Sequence, residues 1–385
     1  MKIKCDIELP ASKSESNRAL MIAAYGAFAP DFQNLSDSND TLVLANALHE
    51  IEQNNSVIDI ADCGTAARFL TTFLSCQSGS WLLTGTERMK QRPIKPLVEA
   101  LKGLGAYIQY AEKEGFLPLQ IKGKPILGGT VQIDMSQSSQ FASSLLLAAP
   151  MWPQGLEMKL FGELSSLPYL DMTIAMMCHF SAQAERRGRT IVVKPKPYGK
   201  QLLTIESDWS AASYWYEMAA FSEECEIRLH GISDPSTGSG TANLQGDSII
   251  AEWMKSFGVC TKAFDGGLIL TKKTFERKPL SFDFSDCPDL YPTMAATCAG
   301  LQVEAQFTGL DNIRLKESDR VEAMRVELSK LGSHPLRFCA HGDHRVVMAL
   351  APLALRYGAI SFDHPEVVVK SYPRFWEDAG FLVNY

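Results

Sequence analysis

A chain of 385 residues exceeds the usual size of one hydrophobic core, so two domains are expected. With 46% hydrophobic and 21% charged residues it has the make-up of an ordinary globular protein, and a formal charge of −7 argues against nucleic-acid binding driven by bulk positive charge. The longest apolar runs, such as "FASSLLLAAPMW" and "VVMALAPLAL", are too short to span a bilayer, and the N-terminus lacks the apolar core of a signal peptide.

Nine cysteines occur without a C-x-x-C pair or a Cys/His ligand spacing, so reduced thiols in a cytoplasmic protein are expected, with no disulfide frame and no zinc. In chain order, the alternating run Ile3, Cys5, Ile7, Leu9 predicts a strand. It leads into "SKSESNRALMIAA", where Lys13, Ser14, Ser16, Asn17 and Arg18 crowd the start of an Ala/Leu-rich helix. Lys and Arg have the wrong sign for the positive end of a helix dipole, whereas an anion suits it.

The same pattern, a polar cluster opening an apolar helix, returns in "DCGTAARFLTTFL", "SSQFASSLLLAAP", "SDWSAASYWYEMAA", "CPDLYPTMAATCAG" and "GDHRVVMALAPLAL". A second, more amphipathic helix follows each: "DTLVLANALHEI", "IKPLVEALKGLGA", "YLDMTIAMMCHF", "GDSIIAEWMKSFG", "SDRVEAMRVELSKLG" and "PRFWEDAGFL". Leu97, Ala100, Leu101 and Leu104 have the spacing of a one-sided helix. The first helix of each unit is apolar nearly all round and should be buried. Strand-rich stretches with Gly turns, such as "GGLILTKKTF", separate the units. Six βαβαββ-like units divide into two domains of three, with the break near Glu206.

Helix openings gathered at one place make an anion site. Lys13 and Arg18 stand at the first, Arg68 at the second, Ser138, Ser139 and Gln140 at the third, Asp289 at the fifth, and Asp343, His344 and Arg345 at the sixth. Loops add Arg88, Lys90 and Arg92, then Arg314, Lys316 and Arg320 beside Glu317 and Asp319, and finally Lys370. The expected ligand is small and strongly anionic. No phosphate-binding Gly-rich loop or metal spacing is present, and "STGSGTANLQGDS" reads as a turn. Catalysis therefore falls to cations, amides and carboxylates, with no cofactor expected.

The strings "SKSESNRAL", "CGTAARFL", "LTGTERMKQRPIKPLVEALKGLGA", "SSQFASSLLLAAP", "LPYLDMT", "DWSAASY", "PDLYPTMA", "NIRLKESDRVEAM", "GDHRVVMAL" and "VVVKSYPRFW" occur in an order similar to that of the 5-enolpyruvylshikimate-3-phosphate synthase family. The resemblance runs nearly end to end. It implies an α/β fold of two inside-out α/β barrels, each of three βαβαββ repeats. It places residues 1–11 plus 207–385 in a discontinuous first domain and 12–206 in an inserted one, with the active site in the cleft between them.

The implied reaction transfers the enolpyruvyl group of phosphoenolpyruvate to the 5-hydroxyl of shikimate 3-phosphate through a tetrahedral intermediate, releasing phosphate. By the resemblance, Lys13, Ser14, Arg18, Ser138, Ser139, Gln140, Ser166, Asp289, Asn312 and Lys316 hold shikimate 3-phosphate. Lys13, Gly64, Arg92, Gln140, Arg320, Arg345 and Lys370 hold phosphoenolpyruvate. Asp289, Glu317 and Lys13 are the implied catalytic set, Asp289 taking the hydroxyl proton and Glu317 serving C3. Gly64 implies inhibition by glyphosate. Asp62, Cys63 and Leu167 depart from the common Asn, Ala and Lys of the family, and Asp62 at the phosphoenolpyruvate wall calls for a partner such as Arg68.

A UDP-N-acetylglucosamine 1-carboxyvinyltransferase shares the implied fold, but its reactive Cys before Arg-Pro has no counterpart in "GTERMKQRP". A non-catalytic phospho-ligand binder is the other alternative, which the retained Asp289, Glu317 and Lys370 oppose. No nucleic-acid or membrane partner is expected, and a monomer is the default.

Overall fold

The computed structural model describes residues 1–234 and 244–380. Most of "STGSGTANLQGDS" thus lies outside the described residues. Contacts divide the chain into two compact units. The first holds Met1–Ser12, Ser36–Asn39 and the chain from Glu206 on; the second holds Lys13–Leu35 and Asp40–Ile205.

The chain begins β1 (Lys2–Glu8), α1 (Lys13–Gly26), β2 (Phe32–Gln33) and α2 (Asn39–Glu52). It continues β3 (Val57–Asp59), α3 (Gly64–Cys76), β4 (Gly79–Thr84), α4 (Lys95–Gly103), β5 (Tyr107–Tyr110) and β6 (Leu119–Gly123). Next come β7 (Gly129–Asp134), α5 (Ser139–Ala148), β8 (Leu156–Phe161), α6 (Leu167–His179), β9 (Gln183–Arg187), β10 (Thr190–Lys194) and β11 (Leu203–Thr204). Then follow α7 (Trp209–Phe221), β12 (Glu224–His230), α8 (Ile250–Trp253), β13 (Val259–Phe264) and β14 (Gly267–Lys272). The last stretch runs β15 (Leu280–Asp283), α9 (Tyr291–Leu301), β16 (Ala305–Thr308), α10 (Arg320–Leu328), β17 (Leu336–Phe338), α11 (His344–Leu350), α12 (Ala354–Tyr357), β18 (Ile360–Phe362) and α13 (Phe375–Asp378).

Three four-stranded sheets repeat one topology: β3-β4-β6-β5, β7-β8-β10-β9 and β1-β12-β14-β13. In each, the first pair is parallel and the remaining pairs are antiparallel. A parallel pair needs a crossover, which includes the buried helix; the outer antiparallel pairs β5-β6, β9-β10 and β13-β14 are hairpins. The three remaining repeats keep only the parallel pair, β11-β2, β15-β16 and β17-β18. After two of them, β11-β2 and β15-β16, the chain leaves no length for a hairpin. Only residues 53–56 join α2 to β3, and only 329–335 join α10 to β17. Among the described residues, then, three of the six repeats carry the antiparallel strands and three show the parallel pair alone, rather than six complete βαβαββ units.

The helices that open on polar clusters are the inner ones. Every residue of α7 and of α11 is buried, as is all of α5 except Gln140. Small and hydroxyl-bearing residues let these helices meet closely: Thr72 and Ser144 share a 2.5 Å hydrogen bond between α3 and α5, and Ser213 and Thr293 one of 3.1 Å between α7 and α9. Outer helices bury one side, as α4 does through Leu97, Val98, Ala100 and Leu101, with Leu104 half-buried at its C-cap.

Two expected outer helices differ. "GDSIIAEWMKSFG" is not one helix: 3-10 turns at Gly246–Ile249 and Met254–Phe257 flank the single turn of α8. Its start is tied to α7, because Gln245 accepts from the Trp209 N–H and donates to the Ser207 carbonyl, each at 2.9 Å. That anchorage fixes the entry of the segment in place of free helical propagation. In "PRFWEDAGFL" the helix covers only Phe375–Asp378.

Candidate active site

In the second unit, the first two turns of α1 carry Lys13, Ser14 and Arg18. Arg18 is 3% exposed. Its guanidinium donates to Thr173 Oγ1 (2.7 Å), the Ser14 carbonyl (2.8 Å), Ser143 Oγ (3.4 Å) and the Tyr169 carbonyl (3.2 Å), so it ties α1 to α5 and α6. Burial pulls its pKa down to about 10, partly offset by Tyr169 and Glu15. A buried cation whose hydrogen bonds, among the described residues, go to hydroxyls and carbonyls and none to a carboxylate is placed to take an anion. Lys13 Nζ pairs with Asp40 Oδ2 at 3.0 Å.

The neighbouring openings join this group. Cys63 caps α3 through its thiol, accepting from the Ala66 N–H (3.4 Å) and reaching the Asp40 carbonyl (3.5 Å). A Cβ on Gly64 would meet Arg92 Nη1 at 2.6 Å, so the Arg92 guanidinium lies directly over that backbone. Arg68 does not stand as an open cation. It staples the Gly64 carbonyl (3.1 Å) to the Pro93 carbonyl (2.9 Å), which brackets Arg92. Gln140 Nε2 donates to Thr65 Oγ1 at 3.1 Å, joining α5 to α3, and Ser138 caps α5 by accepting from the Gln140 N–H at 3.2 Å. Ser139 is buried behind it. Ser166 precedes α6 at φ +57°, a left-handed conformation costly for a non-glycine residue, and its side chain makes no cap hydrogen bond.

In the first unit, Asp289, Lys316, Glu317, Arg320, Asp343 and Arg345 form one network. Asp289 Oδ1 takes Arg320 Nη1 at 2.8 Å with Lys316 Nζ at 3.7 Å, and Oδ2 takes Arg345 Nη2 at 2.8 Å. Glu317 Oε2 accepts from Arg320 Nη2 at 2.9 Å. Asp343 caps α11 through the Arg345 N–H (3.0 Å) and grips Arg320 Nε (2.8 Å) and Ser318 Oγ (3.0 Å). Burial disfavours the Arg320 charge, yet Asp343, Glu317 and Asp289 together raise its pKa above that of an ordinary arginine. Lys370 is buried at the end of the 3-10 turn Pro365–Lys370, which packs on α11, and Asn312 is half-buried on the turn Asp311–Leu315.

Other predicted loop cations belong to the surface. Lys90 pairs with Glu87 and Glu112, Arg88 contacts Gln91, and Arg314 pairs with Asp319.

The sequence model of the EPSP synthase family (3-phosphoshikimate 1-carboxyvinyltransferase) matches residues 1–379. A 3-phosphoshikimate 1-carboxyvinyltransferase of Bacteroides fragilis is 43% identical over all of this chain and 97% of its own length. One of Histophilus somni is 33% identical, covering 98% and 96%. The chain belongs to the EPSP synthase family. Its fold is also that of the EPSP synthase of Acinetobacter baumannii, with TM-score 0.73 over 99% of this chain and 96% of that one, at 22% identity. The enolpyruvyl transferase NikO of Streptomyces tendae superposes with TM-score 0.69 at 13% identity, covering 99% and 95%.

Against the usual pattern of the EPSP synthase family, the Cys63 departure is absorbed as a helix cap, and Leu167 is the first residue of α6. Some residues of the site carried no signal in the sequence. Asp40 lies in the first turn of α2, outside the six openings picked out in the sequence, and meets Lys13 across 27 positions. Thr173, Ser143 and Thr65 look like ordinary helix residues, and only the packing of α1, α3, α5 and α6 shows them as ligands of Arg18 and Gln140. Asp343 stands in a polar opening, yet its grip on Arg320 is a tertiary contact.

Proposed function

We propose that this chain transfers the enolpyruvyl group of phosphoenolpyruvate to the 5-hydroxyl of shikimate 3-phosphate and releases phosphate. The observation that carries the reading is Arg18, a buried guanidinium in the second turn of α1 that, among the described residues, donates its hydrogen bonds to hydroxyls and carbonyls. In this reading Arg18, Ser14, Ser138, Ser139, Ser166, Asn312 and Lys316 hold shikimate 3-phosphate. Arg92 over Gly64, Gln140, Arg320, Arg345 and Lys370 hold phosphoenolpyruvate, and Lys13 serves both substrates. Several charge-assisted contacts, each of about 1.5–3 kcal/mol, are needed to offset the desolvation of two polyanions.

The chemistry follows from the network in the first unit. Asp289 accepts the proton of the 5-hydroxyl as its oxygen bonds to C2 of the enol, while Glu317 delivers a proton to C3. In the second stage the C2–O bond to phosphate breaks, Glu317 takes a proton back from C3 as the C2–C3 double bond re-forms, and the enolpyruvyl ether remains. Arg320 donates to both carboxylates through different nitrogens, 2.8 Å to Asp289 and 2.9 Å to Glu317, which sets their spacing. The charge of departing phosphate is met by cations already in place.

The test is phosphate release from phosphoenolpyruvate. It should require shikimate 3-phosphate, and Asp289→Ala should lower kcat by roughly 10²–10⁴-fold. Release driven by UDP-N-acetylglucosamine instead would replace this reading with the related transferase. Binding of both ligands with no release would make the chain a binding protein.

A further inference from the structure

A second carboxyl, unused in the reaction above, is buried near the start of α7. Asp247 lies on the 3-10 turn Gly246–Ile249 and Asp289 on the turn Pro288–Leu290, and both turns pack against α7. Asp247 is 3% exposed. Its Oδ2 accepts a short hydrogen bond from the Ser210 hydroxyl, in the first turn of α7, while its Oδ1 has no hydrogen-bond partner among the described residues. The charged and titratable groups that bear on it come from three sides: Asp289 and Cys287 from the 288–290 turn, Arg345 from α11, and Asp208 from the N-cap of α7.

We propose that Asp247 is a positioning residue for the transfer, acting on the phosphoenolpyruvate anion through Arg345 and Asp289 rather than by touching it. The proposal rests on the roles given above to those two residues. Among the described residues, Arg345 is the cation whose charge bears on Asp247, and its Nη2 already serves Asp289. An uncharged Asp247 leaves the Arg345 charge to the substrate, whereas an ionised one adds a second negative charge to that pair and opposes the anion. Burial first, then the Asp289 charge, push the Asp247 carboxyl up to about 7, while Arg345 and the Ser210 hydroxyl pull it back. The change of state therefore falls within the working range of an enzyme.

The experiment measures KM for phosphoenolpyruvate between about pH 6 and about pH 9 in the wild type, Asp247→Asn and Ser210→Ala, with melting curves to establish folding. The substrate's own phosphate ionises alike in all three and cancels in the comparison. A several-fold rise in KM with pH is expected for the wild type. Asp247→Asn, which stays neutral, should flatten that rise. Ser210→Ala loses a hydrogen bond that favours the ionised carboxyl, so it should displace the rise to higher pH.

If both variants keep the wild-type profile, or if folded Asp247→Asn raises KM by one constant factor at every pH, Asp247 is merely structural and the proposal falls. Absence of shikimate-3-phosphate-dependent turnover in the wild type would instead overturn the functional reading. Calorimetric binding of phosphoenolpyruvate over the same pH range then decides the Asp247 proposal by the same criteria.

Discussion

Arg18 costs the ligand-free protein stability and gives affinity in return. Its fall from the ordinary arginine value to about 10 corresponds to something on the order of 3 kcal/mol of unfavourable charge burial. A base whose folded-state pKa is depressed costs stability at every pH below that value, so the cost is present throughout the working range. Arg18→Met should therefore melt no lower than the wild type, while its affinity for shikimate 3-phosphate falls by at least about tenfold. Thermal melts and calorimetry check both halves; a variant that is less stable yet binds normally would contradict the account. Gly64 poses a steric question instead. An added Cβ would meet Arg92 Nη1 at 2.6 Å, and the end of a flexible side chain can yield. Gly64→Ala should thus fold normally and raise KM for phosphoenolpyruvate, since Arg92 is displaced from its seat; unchanged steady-state kinetics would remove Arg92 from the phosphoenolpyruvate set.

At the scale of elements, the inner helices carry a cost that their burial explains. Glu217 lies in α7, wholly buried, with both carboxyl oxygens lacking a hydrogen-bond partner among the described residues, and burial raises its pKa well above 4.5. A carboxyl raised in the folded state binds more protons there than in the unfolded chain, so stability declines as pH climbs above the unfolded value. Glu217→Met should raise the melting temperature and weaken that decline; a lower melting temperature across the pH range would show that the carboxyl is satisfied after all. Asp343 works the other way. It caps α11 and grips Arg320, so Asp343→Ala should cost about 3–5 kcal/mol by leaving a buried charge short of a partner, and should lower kcat as Arg320 shifts. Denaturant unfolding and steady-state kinetics measure the two effects. The inner helices were legible because their polar openings and apolar bodies are local patterns. The 246–257 segment was not, because its winding depends on Gln245 and Asp247 gripping α7. Nor was the lack of hairpins after β11-β2 and β15-β16, since a missing strand pair leaves no residues to read.

For the whole molecule, the recurrence of a polar opening before a buried helix was readable, because a repeat shows as local recurrence. Partners that meet only on folding were hidden: Asp40 for Lys13, Thr173 for Arg18, and Asp343 for Arg320. Among the described residues no helix is long and apolar enough to cross a membrane. Substrates that bind only the folded protein should raise its melting temperature, by about 2.7 kcal/mol of linkage at a hundredfold excess over Kd. The most direct measurement of the central claim is product stoichiometry. Phosphoenolpyruvate and shikimate 3-phosphate are incubated with the protein, and the enolpyruvyl ether, quantified by mass spectrometry, is compared with the phosphate released. The account predicts one ether for each phosphate and neither product when shikimate 3-phosphate is withheld. Phosphate appearing without the ether would contradict it.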